Sequence, residues 1–191
     1  MQIKKNRQEM LLEARRLLGL EHTRSDCGAA QTDGIDTDAL IAASLRQWYL
    51  DLLDRGDVRY LAPQKLEITS SRPSGIAGGA VLRLPDECRR ALSVRLAGWH
   101  HAVAVRPAAE MAAAVHAQLN GYAAATPSRP VAVCGADGRS IYAWPDPAEL
   151  GSNEIEGAAD TGEDLFVMDD SALSTLPQWL SQLKITDYGS F

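Results

Sequence analysis

The chain has 191 residues, 46% of them hydrophobic and 6% aromatic, and a formal net charge of -6. That length suits a single domain, 1–191, with one sizeable and mostly aliphatic core. The acidic balance argues against a non-specific DNA binder, which needs lysine and arginine to displace counterions from phosphates. No run approaches the roughly 20 apolar residues of a membrane helix, and no signal-like apolar stretch follows the basic start.

Residues 1–35 are read as an N-terminal helix and loop. Asn6 to Leu18 has Met10, Leu11, Ala14, Leu17 and Leu18 at helical spacing, with Gly19 as its stop. Six basic residues against three acidic ones make Met1 to Arg24 the basic end of the chain. Glu21 to Ile35 is polar and reads as a loop. Asp36 or Thr37 can cap the next helix, Asp38 to Arg55, where Ile41, Leu45, Trp48 and Leu52 form an apolar stripe.

The period then changes to that of strands, within a helix-and-hairpin core expected over 36–144. Lys65–Ser70 and Ala80–Leu84 flank a proline- and glycine-bearing turn and predict a hairpin. Leu92, Val94 and Leu96 alternate, and Val103 and Val105 resume the pattern, which predicts a second strand pair. Pro107 opens a third helix with Met111, Val115 and Leu119 on one face. Val131 and Val133, an Asp137-Gly138 turn, then Ile141 and Tyr142 predict another hairpin. Residues 145–170 hold nine acidic residues and no lysine or arginine. They read as an acidic loop, with a short strand at Leu165–Met168. A C-terminal helix and tail, 171–191, is capped by Asp169 or Asp170 and interrupted by Pro177. The expected class is α+β: N-terminal helices packed with antiparallel β-hairpins, with further helices in the middle and at the C-terminus.

No catalytic or metal-binding signature emerges. Cys27, Cys88 and Cys134 are odd in number and far apart, which fits reduced thiols rather than a disulfide framework or a zinc pattern. Cys88 and Cys134 have no nucleophile signature around them and read as small apolar residues. His100 and His101, adjacent on a strand, would point to opposite faces and could not share a metal, and His22 and His116 sit in other elements. The glycine-rich Ser74–Gly79 lacks the Lys-Ser or Lys-Thr and the following helix of a phosphate loop. The acidic segment lacks a calcium pattern. Expected catalytic residues, metals and cofactors are therefore none.

One stretch carries more information. Leu84-Pro85-Asp86 through Arg89, Val94 and Gly98-Trp99 resembles the middle of head-to-tail adaptor (connector or head-completion) proteins of tailed phages and prophages. The order of the other parts is similar too. There is an opening helix, Met10 to Leu18, and a long helix with Leu45, Trp48, Tyr49 and Leu52. A phrase from Gly121-Tyr122 through Pro127 and Pro130 then precedes a hairpin ending Ile141-Tyr142-Ala143-Trp144-Pro145.

The resemblance implies a structural ring subunit, not an enzyme, at the head-tail junction of a virion assembled in the host cytoplasm. Its partners would be the portal protein, neighbouring copies of itself and tail proteins. DNA would pass through without specific binding, and no membrane would be involved. Candidate partner contacts are Lys4, Lys5 and Arg7 in the basic start and Ile185, Tyr188 and Phe191 in the tail, where apolar side chains exceed what so short a segment can bury. The competing readings are a non-catalytic host protein-interaction module and a small hydrolase.

Overall fold

The computed structural model describes residues 1–20, 37–66, 68, 70–75, 78–146 and 153–182. In chain order the elements are strand β1 (Gln2–Asn6), helices α1 (Arg7–Leu17) and α2 (Thr37–Arg55), and strands β2 (Gln64–Leu66), β3 (Ser70–Pro73), β4 (Ala80–Arg83), β5 (Cys88–Arg95) and β6 (Val103–Arg106). Helix α3 (Met111–Gln118) follows, then strands β7 (Val131–Cys134), β8 (Ser140–Trp144), β9 (Glu154–Ala159) and β10 (Leu165–Asp169), and helix α4 (Leu176–Leu180). Length suggested one domain. The chain divides into two compact units, Met1–Ala62 with Thr161–Phe191, and Pro63–Asp160.

The first unit begins with a strand that the sequence did not advertise. β1 pairs antiparallel with β10, Lys4 opposite Val167. At its end Asn6 starts α1 through a capping box: the Asn6 side chain accepts from Glu9 N–H, and the Glu9 carboxylate accepts from Asn6 N–H. Two free amides of the first turn are thereby satisfied reciprocally. α1 packs on α2 and α4 and buries Met10 and Ala14. The α2 stripe of Ile41, Leu45, Trp48 and Leu52 is buried, as its spacing requires. Its partners are those of its own unit. Trp48 Nε1 donates to Thr175 Oγ1 at 3.1 Å, and the Tyr49 ring meets Phe166 of β10 edge to face, centroids 5.0 Å apart. The last helix is shorter than expected. Asp169 caps a 3-10 segment, Asp170–Thr175, and Pro177 sits in the first turn of α4, where a missing N–H costs nothing.

The second unit is an eight-stranded sheet in the order β2-β9-β5-β6-β7-β8-β4-β3. Neighbours are antiparallel except β6 and β7, which are parallel. The two edge strands, β2 and β3, are consecutive in the chain and only three residues apart. That connection spans at most about 14 Å, so the sheet must curl back on itself. Two register shifts in β5, between Cys88 and Arg90 and between Ala91 and Ser93, supply bends of the kind a curled sheet needs. The concave face closes a core in which Leu82 of β4, Val94 of β5, Ile141 of β8 and Ile155 of β9 meet Leu84 and Trp99. On the opposite face α3 lays Ala114 against Val133 and Trp144, with Met111 and Val115 half-buried beside them.

This corrects the expected class. The core of the hairpins is built from residues of Pro63–Asp160 alone. The fold is mixed and strand-rich, with the sheet folded over its own apolar face, so Val94 and Leu96 have core partners without any helix. Three local expectations change with it. The strand around Leu66 is not the partner of β4: β2 pairs with β9, and β3 takes the hairpin position. The segment read as an acidic loop contains β9, a central strand between β2 and β5 that buries Ile155, Ala158 and Ala159. The third helix is α-helical only from Met111, and Leu119, placed on its apolar face by spacing, is 75% exposed.

Candidate functional site

A surface groove of the first unit lies along β1 and α1. Helix α1 follows β1 directly, and its i, i+3, i+4, i+7 face of Glu9, Leu12, Glu13 and Arg16 borders an open groove with Met1 to Lys5. The groove is about 880 Å³. Ile3 and Leu12 give it apolar surface, and Leu12 stands 64% exposed.

Among the described residues, β1 has a strand partner on one side only, β10. In an antiparallel pair, opposed residues exchange both backbone hydrogen bonds or neither. Val167 turns its backbone away from β1: its N–H donates to the Tyr49 hydroxyl, which in turn donates to its carbonyl oxygen, both at 3.1 Å. Lys4, opposite Val167, therefore turns its own N–H and C=O outward, and Gln2, two residues away, does the same. The bonds Arg7 N–H to Asp164 O and Asp170 N–H to Met1 O, on the alternate positions, agree with this register. Asn6 is closed by its cap. Among the described residues, nothing pairs with the outward groups of Gln2 and Lys4.

Charge is unevenly neutralised along the groove. Lys5 pairs with Glu13 at 3.6 Å, and Arg15 pairs with Asp38 at the start of α2, its Nε 2.8 Å from the carboxylate. Glu9 is occupied by the cap. Lys4 and Arg16 form no ion pair among the described residues. The arrangement thus offers backbone donors and acceptors, apolar surface and two uncompensated cations. Those are means of holding an extended polypeptide.

Of the residues singled out by sequence, the structure brings Lys4 and Lys5 to this groove. Arg7 is exposed at the first position of α1 and does not line it. Ile185, Tyr188 and Phe191 lie outside the described residues, as do His22 and Cys27. Sequence reasoning missed Ile3 and Leu12, while Arg16 closes the basic segment, Lys4 to Arg16, that it had marked as a contact. The available signal was Leu12 itself, a large apolar residue off the buried Met10–Ala14 line of its helix.

The other candidates stay apart. His100 and His101 are both exposed in the turn between β5 and β6, not on a strand as expected. Cys88 is buried in the sheet core, where desolvation pushes its thiol up to about 11. Burial, then the charge of Asp137, also raises the Cys134 thiol. Thiols so shifted are poor nucleophiles at neutral pH. Ser74–Gly79 connects β3 to β4, with Ser74 N–H bonded to Gly79 O at 2.7 Å. Among the described residues no group of three or more His, Cys, Asp or Glu side chains could hold a metal ion.

Two of the stretches that carry the adaptor resemblance meet in the sheet unit. Trp99, closing the first, donates from Nε1 to the carbonyl of Pro145, closing the second, at 3.1 Å. Arg139 in the β7–β8 turn donates to the carbonyls of Asp86 and Pro85 at 2.9 and 3.4 Å, tying down the Leu84-Pro85-Asp86 corner. The chain matches no protein-family model and no curated protein sequence.

Proposed function

We propose that this chain is a structural adaptor that acts by holding other protein chains, and that its setting is the head-tail junction of a tailed phage, as a ring subunit beneath the portal. The observation that supports a protein-holding role is the groove along β1: an open strand edge, beside apolar and basic side chains, has the chemistry of a polypeptide-binding surface. The phage setting rests on the resemblance, whose phrases run in order from Met10 to Pro145 and are densest from Leu84 to Trp99. In this reading the portal and neighbouring copies are the partners, DNA passes without being gripped, and no reaction is catalysed. The basic start, with Lys4, Lys5 and Arg7, is one contact. The tail with Ile185, Tyr188 and Phe191 is the other.

The test is reconstitution with portal rings encoded beside the same gene, read by co-sedimentation and electron microscopy. The full chain is expected to decorate portal rings. A chain lacking Thr186 to Phe191 is expected to keep its melting temperature and fail to assemble. A truncated chain that melts several degrees lower yet still decorates the rings would place the tail in the protein's own core and remove it from the interface. A full chain that ignores portal rings would end the adaptor reading.

A further inference from the structure

We propose that the open edge of β1 is a strand-addition site for an acidic, extended segment of a partner protein. The inference deepens the protein-holding reading above and rests on it, but it does not require the partner to be a portal. Its first support is the register. Lys4 and Gln2 present main-chain donors and acceptors outward, while β10 is locked behind them by its bonds to β1 and to Tyr49. The edge is therefore held on a fixed support and does not need to reorganise to receive a strand.

The second support is what lies beside that edge. An incoming strand places alternate side chains on opposite faces. One row would run along the groove beside Ile3 and Leu12, and the other would meet solvent. The third support is charge, and it identifies the occupant. Lys4 and Arg16 flank the groove without an acidic partner among the described residues, while Lys5, Glu13, Glu9 and Arg15 are already engaged. A second copy of β1 is a poor occupant: antiparallel pairing about its centre sets Lys4 opposite Lys4 and Ile3 opposite Lys5, and like charges directly opposed destabilise a ladder. Lysine on an edge strand blocks such self-pairing. The same lysine attracts a strand bearing glutamate or aspartate at the facing position.

The experiment uses the full chain and three capped eight-residue peptides: one alternating valine with glutamate, one alternating valine with lysine, and the glutamate peptide N-methylated at alternate amides. Binding is followed by fluorescence anisotropy and by hydrogen exchange at the amides of residues 2–5. The glutamate peptide is expected to bind and to slow exchange at Lys4 and Gln2. The lysine and N-methylated peptides are expected to bind at least about tenfold more weakly, as is the glutamate peptide to a Lys4→Glu, Arg16→Glu chain whose circular dichroism and melting are unchanged.

Equal binding of the N-methylated peptide would overturn strand addition, and equal binding of the lysine peptide would overturn the charge assignment. Two further outcomes would also overturn the proposal. Protection of Lys4 that grows with protein concentration alone would make a second copy the occupant. Displacement of the peptide by duplex DNA at equal charge would make the surface a general anion site. None of these results touches portal decoration, so the two proposals fail separately.

Discussion

The Tyr49 hydroxyl serves both backbone groups of Val167, and no simple substitution can replace it. Tyr49→Phe keeps the ring against Phe166 but takes from the buried Val167 N–H the acceptor it has, at a cost of about 1–3 kcal/mol. Denaturant unfolding would show this as a lower midpoint with an unchanged slope; no shift would mean that water reaches Val167.

Cys88 makes a second residue-scale prediction. Desolvation raises its thiol from 9.0 to about 11, so the folded state holds the proton more tightly than the unfolded chain. The associated stability is fully present below pH 9 and is lost as pH rises through about 11. Stability measured across that window should fall more steeply for the native chain than for Cys88→Ala. Superimposable profiles would show that the thiol does not stay protonated in the core. Asp137 works at the acid end. Bonds from the Ser140 hydroxyl and from the Arg139 and Ser140 amides hold its carboxyl below its ordinary value, so the support it gives the β7–β8 turn is lost as pH falls through that lowered value.

At the scale of elements, what the sequence shows clearly is periodicity, and what it hides is pairing. The stripe of α2 is unmistakable because four large apolar residues recur on one face, and all four are buried. Trp48→Ala should cost about 3–5 kcal/mol in denaturant unfolding. A loss under about 1 kcal/mol would contradict the burial of the ring against its own unit. The helix's partners were not legible, because an apolar face does not say which other face covers it.

β9 was hidden for a different reason. Its sequence, Glu-Ile-Glu-Gly-Ala-Ala, offers one large apolar residue among acids and small residues, yet it is central because small residues let neighbours approach. A Cβ at Gly157 would stand 2.7 Å from Arg90 O and 3.0 Å from Leu66 Cδ1, one neighbour on each flanking strand. Gly157→Ala should therefore destabilise the sheet by about 1–3 kcal/mol, read as a lower melting temperature; a neutral result would mean that the β5 backbone at Arg90, as well as Leu66, can move aside freely. β1 was hidden because its strand character comes from pairing with residues more than 150 positions away, which no local pattern reports. For the same reason the groove was half legible. The basic residues Lys4 and Lys5 stood out as a charge cluster, but the open edge that gives them a role exists only once β10 is in place.

At the scale of the whole molecule, the chain leaves the first unit after Ala62, completes the curled sheet, and returns at Thr161. The inserted stretch carries everything a fold of its own requires. All eight strands of the large sheet lie within it, its edge strands β2 and β3 are neighbours in sequence, and every member of the core around Leu82 and Ile141 comes from it. So does the second core, where α3 covers Val133 and Trp144. Its ends are tied from inside: β2 pairs with β9, and Asp160 N–H reaches Glu87 O at 2.7 Å.

A chain cut to residues 63–160 should therefore fold by itself and unfold in one cooperative transition. Its pairings are mostly distant in sequence, so it should fold on the slow side, in milliseconds to seconds. Dispersed amide resonances, with nuclear Overhauser contacts between β2 and β9 and between β3 and β4, would establish that the excised sheet has closed with native register. A collapsed species lacking those contacts would show that the sheet depends on the first unit to form. The sharpest single check is Ile141→Ala in the excised chain. It removes a fully buried side chain at the centre of the core and should lower stability by about 2–5 kcal/mol. If the excised chain tolerates that change without loss, its sheet is not closed over the core described for it.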